Sequence, residues 1–116
     1  MNSPQIPISW GELLDKITIL QIKLENLTSK GALENVAREL KHLQYIFSQS
    51  CPDSIKPKQL KVELKEINQK LWDIEDKIRD KERAKSFDDE FIQAARNISI
   101  TNDECSRVKR KINGIF

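Results

Sequence analysis

Prolines occupy positions 4, 7, 52 and 57 and glycines positions 11, 31 and 114, so residues 58–113 contain neither. A stretch that long without the two strongest chain breakers lacks the turns a β-sheet needs and predicts long helices. Apolar side chains on it recur at Leu60, Leu64, Ile67, Leu71, Ile74 and Ile78, in alternating steps of 4 and 3. A second series runs Phe87, Phe91, Ala94, Ile98, Thr101, Cys105, Val108, Ile112 and Ile115. Such steps keep one face of a 3.6-residue helix turned to a core. The N-terminal half repeats the pattern in Trp10, Leu13, Ile17, Leu20, Leu24 and Leu27, then in Leu33, Val36, Leu40, Leu43 and Phe47.

Capping residues bracket these stripes. Ser9 with Glu12 has the spacing of a capping box, and Ser86 with Asp89 has the same offset. Thr28–Gly31 and Ser50–Ser54 read as breaks, Pro57 suits a first helical turn, and Gly114 suits a stop. The expectation is an all-α chain with helices over 10–28, 32–49, 57–84 and 87–114. Residues 1–8, with two prolines, read as an extended arm, and 9–116 as a single helical domain. Short connections favour an antiparallel four-helix bundle. Helices three and four, at roughly 40 Å, should outreach the first two, at roughly 27 Å, as a long C-terminal hairpin.

The composition of this 116-residue chain excludes several functions. Charged residues make up 33%, yet 20 Lys+Arg stand against 18 Asp+Glu, a net charge of only +2. Folding the hairpin brings Lys58, Lys61 and Lys65 toward Arg107, Lys109, Arg110 and Lys111, but Glu63, Glu66, Asp103 and Glu104 interleave. Nucleic acid is therefore not the preferred partner. No apolar run is long enough to span a membrane, and the start lacks the layout of a signal peptide. Cys51 and Cys105 form no C-x-x-C pair, and His42 is remote from both, so no metal or cofactor is called for. The expected compartment is the cytoplasm.

One face of helix three stands apart from its core stripe. Lys58, Lys61, Lys65, Asn68, Trp72, Asp76, Arg79 and Arg83 fall within about 80° of one another, with Glu75 at the border. The candidate binding residues are Lys65, Asn68, Trp72, Glu75, Asp76 and Arg79. Trp72 can stack, Arg79 can fork onto a carboxylate or phosphate, and Asn68 can read a donor–acceptor pair. A protein or an anionic small molecule would suit them. A plain solvated face, with Arg79 bridging to Glu75 or Asp76, explains the same residues. On helix one, Ile19 and Ile22 lie off the stripe and, with the unmatched hairpin length, point to a homo-oligomer.

The rival reading is a metal-dependent hydrolase or transferase of a phosphorylated small molecule. It would use the pairs Glu12/Asp15, Glu63/Glu66 and Glu75/Asp76 as oxygen ligands. A layer of Glu75, Asp76, Lys23, Glu39 and Arg96 could hold a metal and a phosphate. Pairs such as Glu12–Lys16 at i, i+4 account for many of these charges as surface ion pairs. No phosphate-binding loop, zinc-protease or serine-hydrolase signature is present. A self-associating binding or scaffold module is the preferred function.

The blocks Ile8–Leu20 (ISWGELLDKITIL), Leu71–Arg79 (LWDIEDKIR) and Thr101-Asn102-Asp103 resemble, in order and spacing, a family of small bacterial helical proteins catalogued as a domain of unknown function. The resemblance covers about positions 6 to 116. It implies a stand-alone cytoplasmic protein of bacterial or phage type and brings with it no activity and no catalytic residue.

Overall fold

The computed structural model describes residues 3–52 and 56–116. Among these it contains four α-helices and no strand: α1 (Trp10–Asn26), α2 (Lys30–Ser50), α3 (Lys58–Arg83) and α4 (Asp89–Ile115). The all-α reading holds, with helix ends within two residues of those expected. Ser3–Ser9 carry no regular secondary structure. Met1 and Asn2 of the expected arm, and Asp53 and Ser54 of the expected loop, lie outside the described residues.

Local chemistry explains where the helix ends differ. The Ser9 hydroxyl accepts from the Glu12 backbone N–H at 3.2 Å, which is half of the capping box. The other half is missing, because the Glu12 carboxylate accepts from Lys109 Nζ at 2.9 Å instead. Gly31 does not interrupt the chain: the N–H of Leu33 donates to the Ser29 carbonyl at 2.9 Å, so α2 is already helical there. Gly114 likewise lies inside the last turn of α4. Pro57 is the cap of α3 rather than its first helical residue.

The α3–α4 turn moves the expected cap. Ser86 N–H donates to the Lys81 carbonyl at 2.8 Å, and Lys85 N–H to that of Glu82 at 3.0 Å. This is the paired closure that ends a helix with a left-handed residue. Ser86 is thereby committed to closing α3, and Asp88 caps α4 by accepting from the Phe91 N–H at 3.0 Å. Its carboxyl is held at about 2, chiefly by the hydrogen bond from Lys81 and next by that from Phe91.

Packing is organised around α1. It contacts each of the other helices, α3 packs along α4, and α2 has substantial contact with α1 alone. Two stripes of α1 are therefore buried. Along the expected one, Trp10 meets Phe47 of α2 edge-on at 6.0 Å. Leu13, Ile17 and Leu20 continue it into the core with Leu40, Leu64, Ile67, Val108 and Ile112. The second stripe, Gly11, Leu14, Thr18 and Ile22, is also buried. Ile22, at 1% exposure, is thus interior rather than an oligomer surface, while Leu24 from the expected stripe is 39% exposed.

The molecule is elongated. A chain this size packs compactly to a radius of gyration of about 13 Å, whereas this one has 16.3 Å and extents of 48 × 34 × 24 Å. Beyond Asn68 no residue of α3 is buried, and before Thr101 only Ala94 of α4 is. The tip is held by Lys77–Glu90 (3.5 Å), Lys81–Asp88 (2.8 Å) and Lys81–Glu90 (3.3 Å), with Phe87 edge-on to Phe91 at 5.2 Å.

Lys85 sits at φ 52°, in the left-handed region that a Cβ disfavours. Lys85→Gly removes that penalty of about 1–2 kcal/mol but adds backbone entropy to the unfolded chain. A net stabilisation of about 0.5–1 kcal/mol is expected, read as a melting temperature raised by about 2–5 °C.

Candidate functional site

Where α1, α3 and α4 meet, polar side chains are folded into the interior. Thr18, Asn68 and Thr101 are buried, at 0%, 5% and 5% exposure. Asn68 Nδ2 donates to Asp15 Oδ1 and to Thr18 Oγ1, both at 2.9 Å. Thr18 Oγ1 in turn donates to the Asp15 carbonyl at 2.9 Å. Cys105 of α4 points its thiol at the same carboxylate oxygen, 3.6 Å away. Among the described residues no buried side-chain nitrogen or oxygen lacks a partner. Burial, and then the negative charge of Asp15, push the Cys105 thiol up to about 11. It therefore stays protonated at neutral pH and is no nucleophile.

One turn toward the start of α1, the helices touch backbone to backbone. A Cβ on Gly11 would lie 2.7 Å from the Lys109 carbonyl oxygen. The Gly11 N–H, left free by the helix start, donates to Asn113 Oδ1 of α4 at 2.7 Å. Trp10 stacks on Phe116, with centroids 4.3 Å apart. Lys109 lies between Glu12 at 2.9 Å and Asp15 at 4.0 Å. Its ammonium is held above the ordinary lysine value, chiefly by the hydrogen bond to Glu12, with partial burial opposing.

The structure divides the six candidate residues. Asn68, Trp72 and Glu75 line a cleft of about 160 Å³ between α1 and α3, together with Ile19, Ile22, Lys23 and Leu71. Lys65 lies outside it, paired with Glu25 of α1 at 2.5 Å. Asp76 and Arg79 are also outside and bridge to each other on the helix surface, which is the plain-surface alternative for those two. Both amide protons of Asn68 are taken by α1, so in this cleft it also braces the fold. Of the expected basic cluster, Lys65 pairs with Glu25 and Lys109 with Glu12.

The carboxylate layer is not assembled either. Lys23 joins Glu75 at the cleft, but Asp76 turns to Arg79, and Glu39 is exposed on α2. Among the described residues no group of three or more His, Cys, Asp or Glu side chains could hold a metal ion. What the residue pattern concealed was the junction itself. Its signal was polar residues on otherwise apolar faces: Thr18 three residues after Asp15 on α1, Thr101 four before Cys105 on α4, and Asn68 next to Ile67 on α3. A groove of about 640 Å³ lies elsewhere, between the arm and the α1–α2 pair. No stripe pointed to it, because an irregular segment forms one wall.

Two measurements test the junction. Gly11→Ala forces α1 away from the Lys109 carbonyl and should cost about 1–3 kcal/mol of unfolding free energy. Asn68→Ala should cost about 2–4 kcal/mol, because it removes the amide that donates to both Thr18 and Asp15 and leaves a void in the junction. Thr18→Val alone should cost about 1–2 kcal/mol. The double variant should fall short of the sum by at least about 0.5 kcal/mol, since the two share one hydrogen bond. Strict additivity in urea denaturation would show that the bond contributes nothing.

Comparison with curated proteins and with solved structures returned no match. The family comparison does match, over residues 4–115, nearly the whole chain, and the ISWGELLDKITIL block it contains supplies Trp10, Gly11, Glu12, Asp15 and Thr18 to the α1–α3–α4 contacts. The chain belongs to the family of unknown function DUF6165.

Proposed function

We propose that the protein is a non-enzymatic, self-associating helical module that pairs through the distal half of the α3–α4 hairpin. The observation that carries this reading is the absence of any buried residue on α3 beyond Asn68. Beyond Glu75, where the cleft against α1 ends, about eight residues, or some 12 Å of helix, stand without a third helix to pack on. Ile92 and Ile100 are 47% and 54% exposed on α4, and Leu71, Trp72, Ile74 and Ile78 are only half-buried on α3. Two such ribbons laid together by a two-fold axis form the four-helix core that one lacks.

An antiparallel arrangement of the hairpin is part of the proposal. It is supported by the ion pairs Lys81–Asp88, Lys77–Glu90 and Lys70–Glu104, which run down α3 as they run up α4. The Trp72 cleft belongs to the same surface. At about 160 Å³ it falls below the 300–1,000 Å³ of cofactor and drug-sized sites. Its size suits one apolar side chain, with Lys23 and Glu75 at hand for opposite charges on the partner copy. The cytoplasm is the compartment that fits two unpaired thiols. Among the described residues no helix is long and apolar enough to cross a membrane.

Sedimentation equilibrium at tens of micromolar, the range set by micromolar affinities, should return twice the chain mass. Ile92→Glu with Ile100→Glu, both at exposed positions, should return a single chain of unchanged helicity. Trp72→Ala should weaken the pairing at least tenfold. A wild-type protein that sediments as one chain removes the proposal.

A further inference from the structure

The groove between the N-terminal arm and the α1–α2 pair joins an apolar lining to basic side chains. Pro4, Gln5, Ile6, Ile8 and Ser9 of the arm form one side, Trp10, Leu13 and Lys16 of α1 the floor, and His42, Leu43, Ile46 and Ser50 of α2 the other. Its volume of about 640 Å³ lies inside the range of small-molecule sites. Ile6, Ile8 and Ile46 remain 78%, 44% and 37% exposed, so the apolar wall is uncovered. In a protein with nearly equal numbers of acids and bases, the lining holds Lys16 and His42 and no carboxylate.

Lys16 is uncommitted for a structural reason. Glu12, its expected i, i+4 partner, is drawn across to Lys109 on α4. Among the described residues neither Lys16 nor His42 takes part in an ion pair or a side-chain hydrogen bond. An ammonium and an imidazole therefore line an apolar groove with no carboxylate in its lining. The chemistry that complements both features is a hydrocarbon chain ending in an anion.

We propose that the groove between the N-terminal arm and the α1–α2 pair binds a free aliphatic carboxylate of about ten carbons, its chain on the Ile6, Ile8, Leu43 and Ile46 walls and its carboxylate on Lys16 and His42. The site shares no residue with the Trp72 cleft or the distal hairpin and does not depend on self-association. Trp10 lies in its floor, so occupancy changes the surroundings of that indole.

Titrating the full-length protein with decanoate, below its micelle-forming concentration, tests this by calorimetry and by Trp10 emission in a Trp72→Phe background. Saturable one-to-one binding is expected, accompanied by a rise in melting temperature, since a ligand of the folded state must stabilise it. Decanol, with the same chain and no charge, should bind at least tenfold more weakly. Lys16→Gln with His42→Gln should lose the preference for decanoate over decanol while melting as the wild type does. Ile46→Asp, at a partly exposed position, should abolish binding of both. Equal binding of decanol and decanoate, or full decanoate binding by either variant, overturns the proposal. So does the absence of saturable binding, or capture of an apolar peptide with a free C-terminus where decanoate fails.

Discussion

Asn68 sends both protons of its amide to α1, one to the Asp15 carboxylate and one to the Thr18 hydroxyl. Thr18 passes its own proton to the Asp15 carbonyl, and Cys105 approaches the same carboxylate from α4. Every group in the cluster is satisfied, which matters because a polar atom left unpaired in an apolar interior costs more than a made bond returns. Sliding any of the three helices by one residue would strand at least one of these groups. The junction thus selects a single register, whereas Leu and Ile side chains would tolerate several. Gly11 completes the constraint by letting α1 close on the Lys109 carbonyl, where no side chain fits.

The rest of the molecule follows from where that junction lies. It sits away from the α3–α4 turn: α1 covers the Leu64–Asn68 and Thr101–Ile112 segments, reaches Trp72 and Glu75 at the cleft, and stops short of the turn. Helices in proteins draw most of their stability from tertiary packing, and in α1, 17 residues long, both buried stripes are in use. Occupying both stripes leaves α2 to pack on α1 alone. Three features result: a bare distal ribbon, a small cleft beside Trp72, and a wide groove under the arm.

Charge follows the same geometry. Glu12 and Lys109 lie on facing turns of α1 and α4, and their bond pre-empts the local pairing of Glu12 with Lys16. The exchange strengthens the contact that fixes α4 and leaves the Lys16 ammonium in the lining of the arm groove. At the tip, Lys81 bridges to Asp88 and Glu90 and ties the end of α3 to the start of α4. There charge adds to the Phe87–Phe91 contact.

The sequence by itself determined the secondary structure and most of the core. The 3/4 spacing of Leu13, Ile17, Leu20, Leu64, Ile67, Val108 and Ile112 needs only the helical period, and the breakers at Pro52 and Pro57 act within their own turns. Local competition already limited this at Ser86, where the closure of α3 displaced the expected cap to Asp88. The tertiary structure alone decided which helix faces are interior. Ile22 looked exposed because its stripe carries Gly11 and Thr18, and both positions acquire meaning only when another helix arrives to touch them. Asn68 shows the same dependence: an amide on the edge of an apolar face is free in one helix and has both protons bonded once a second helix supplies Asp15 and Thr18. Of the residues singled out on α3, Asn68, Trp72 and Glu75 line a cleft, Asp76 and Arg79 satisfy each other, and Lys65 is taken by Glu25. Hydrophobic period is a property of one segment, whereas partner choice among polar groups depends on distances between segments, which no single helix encodes.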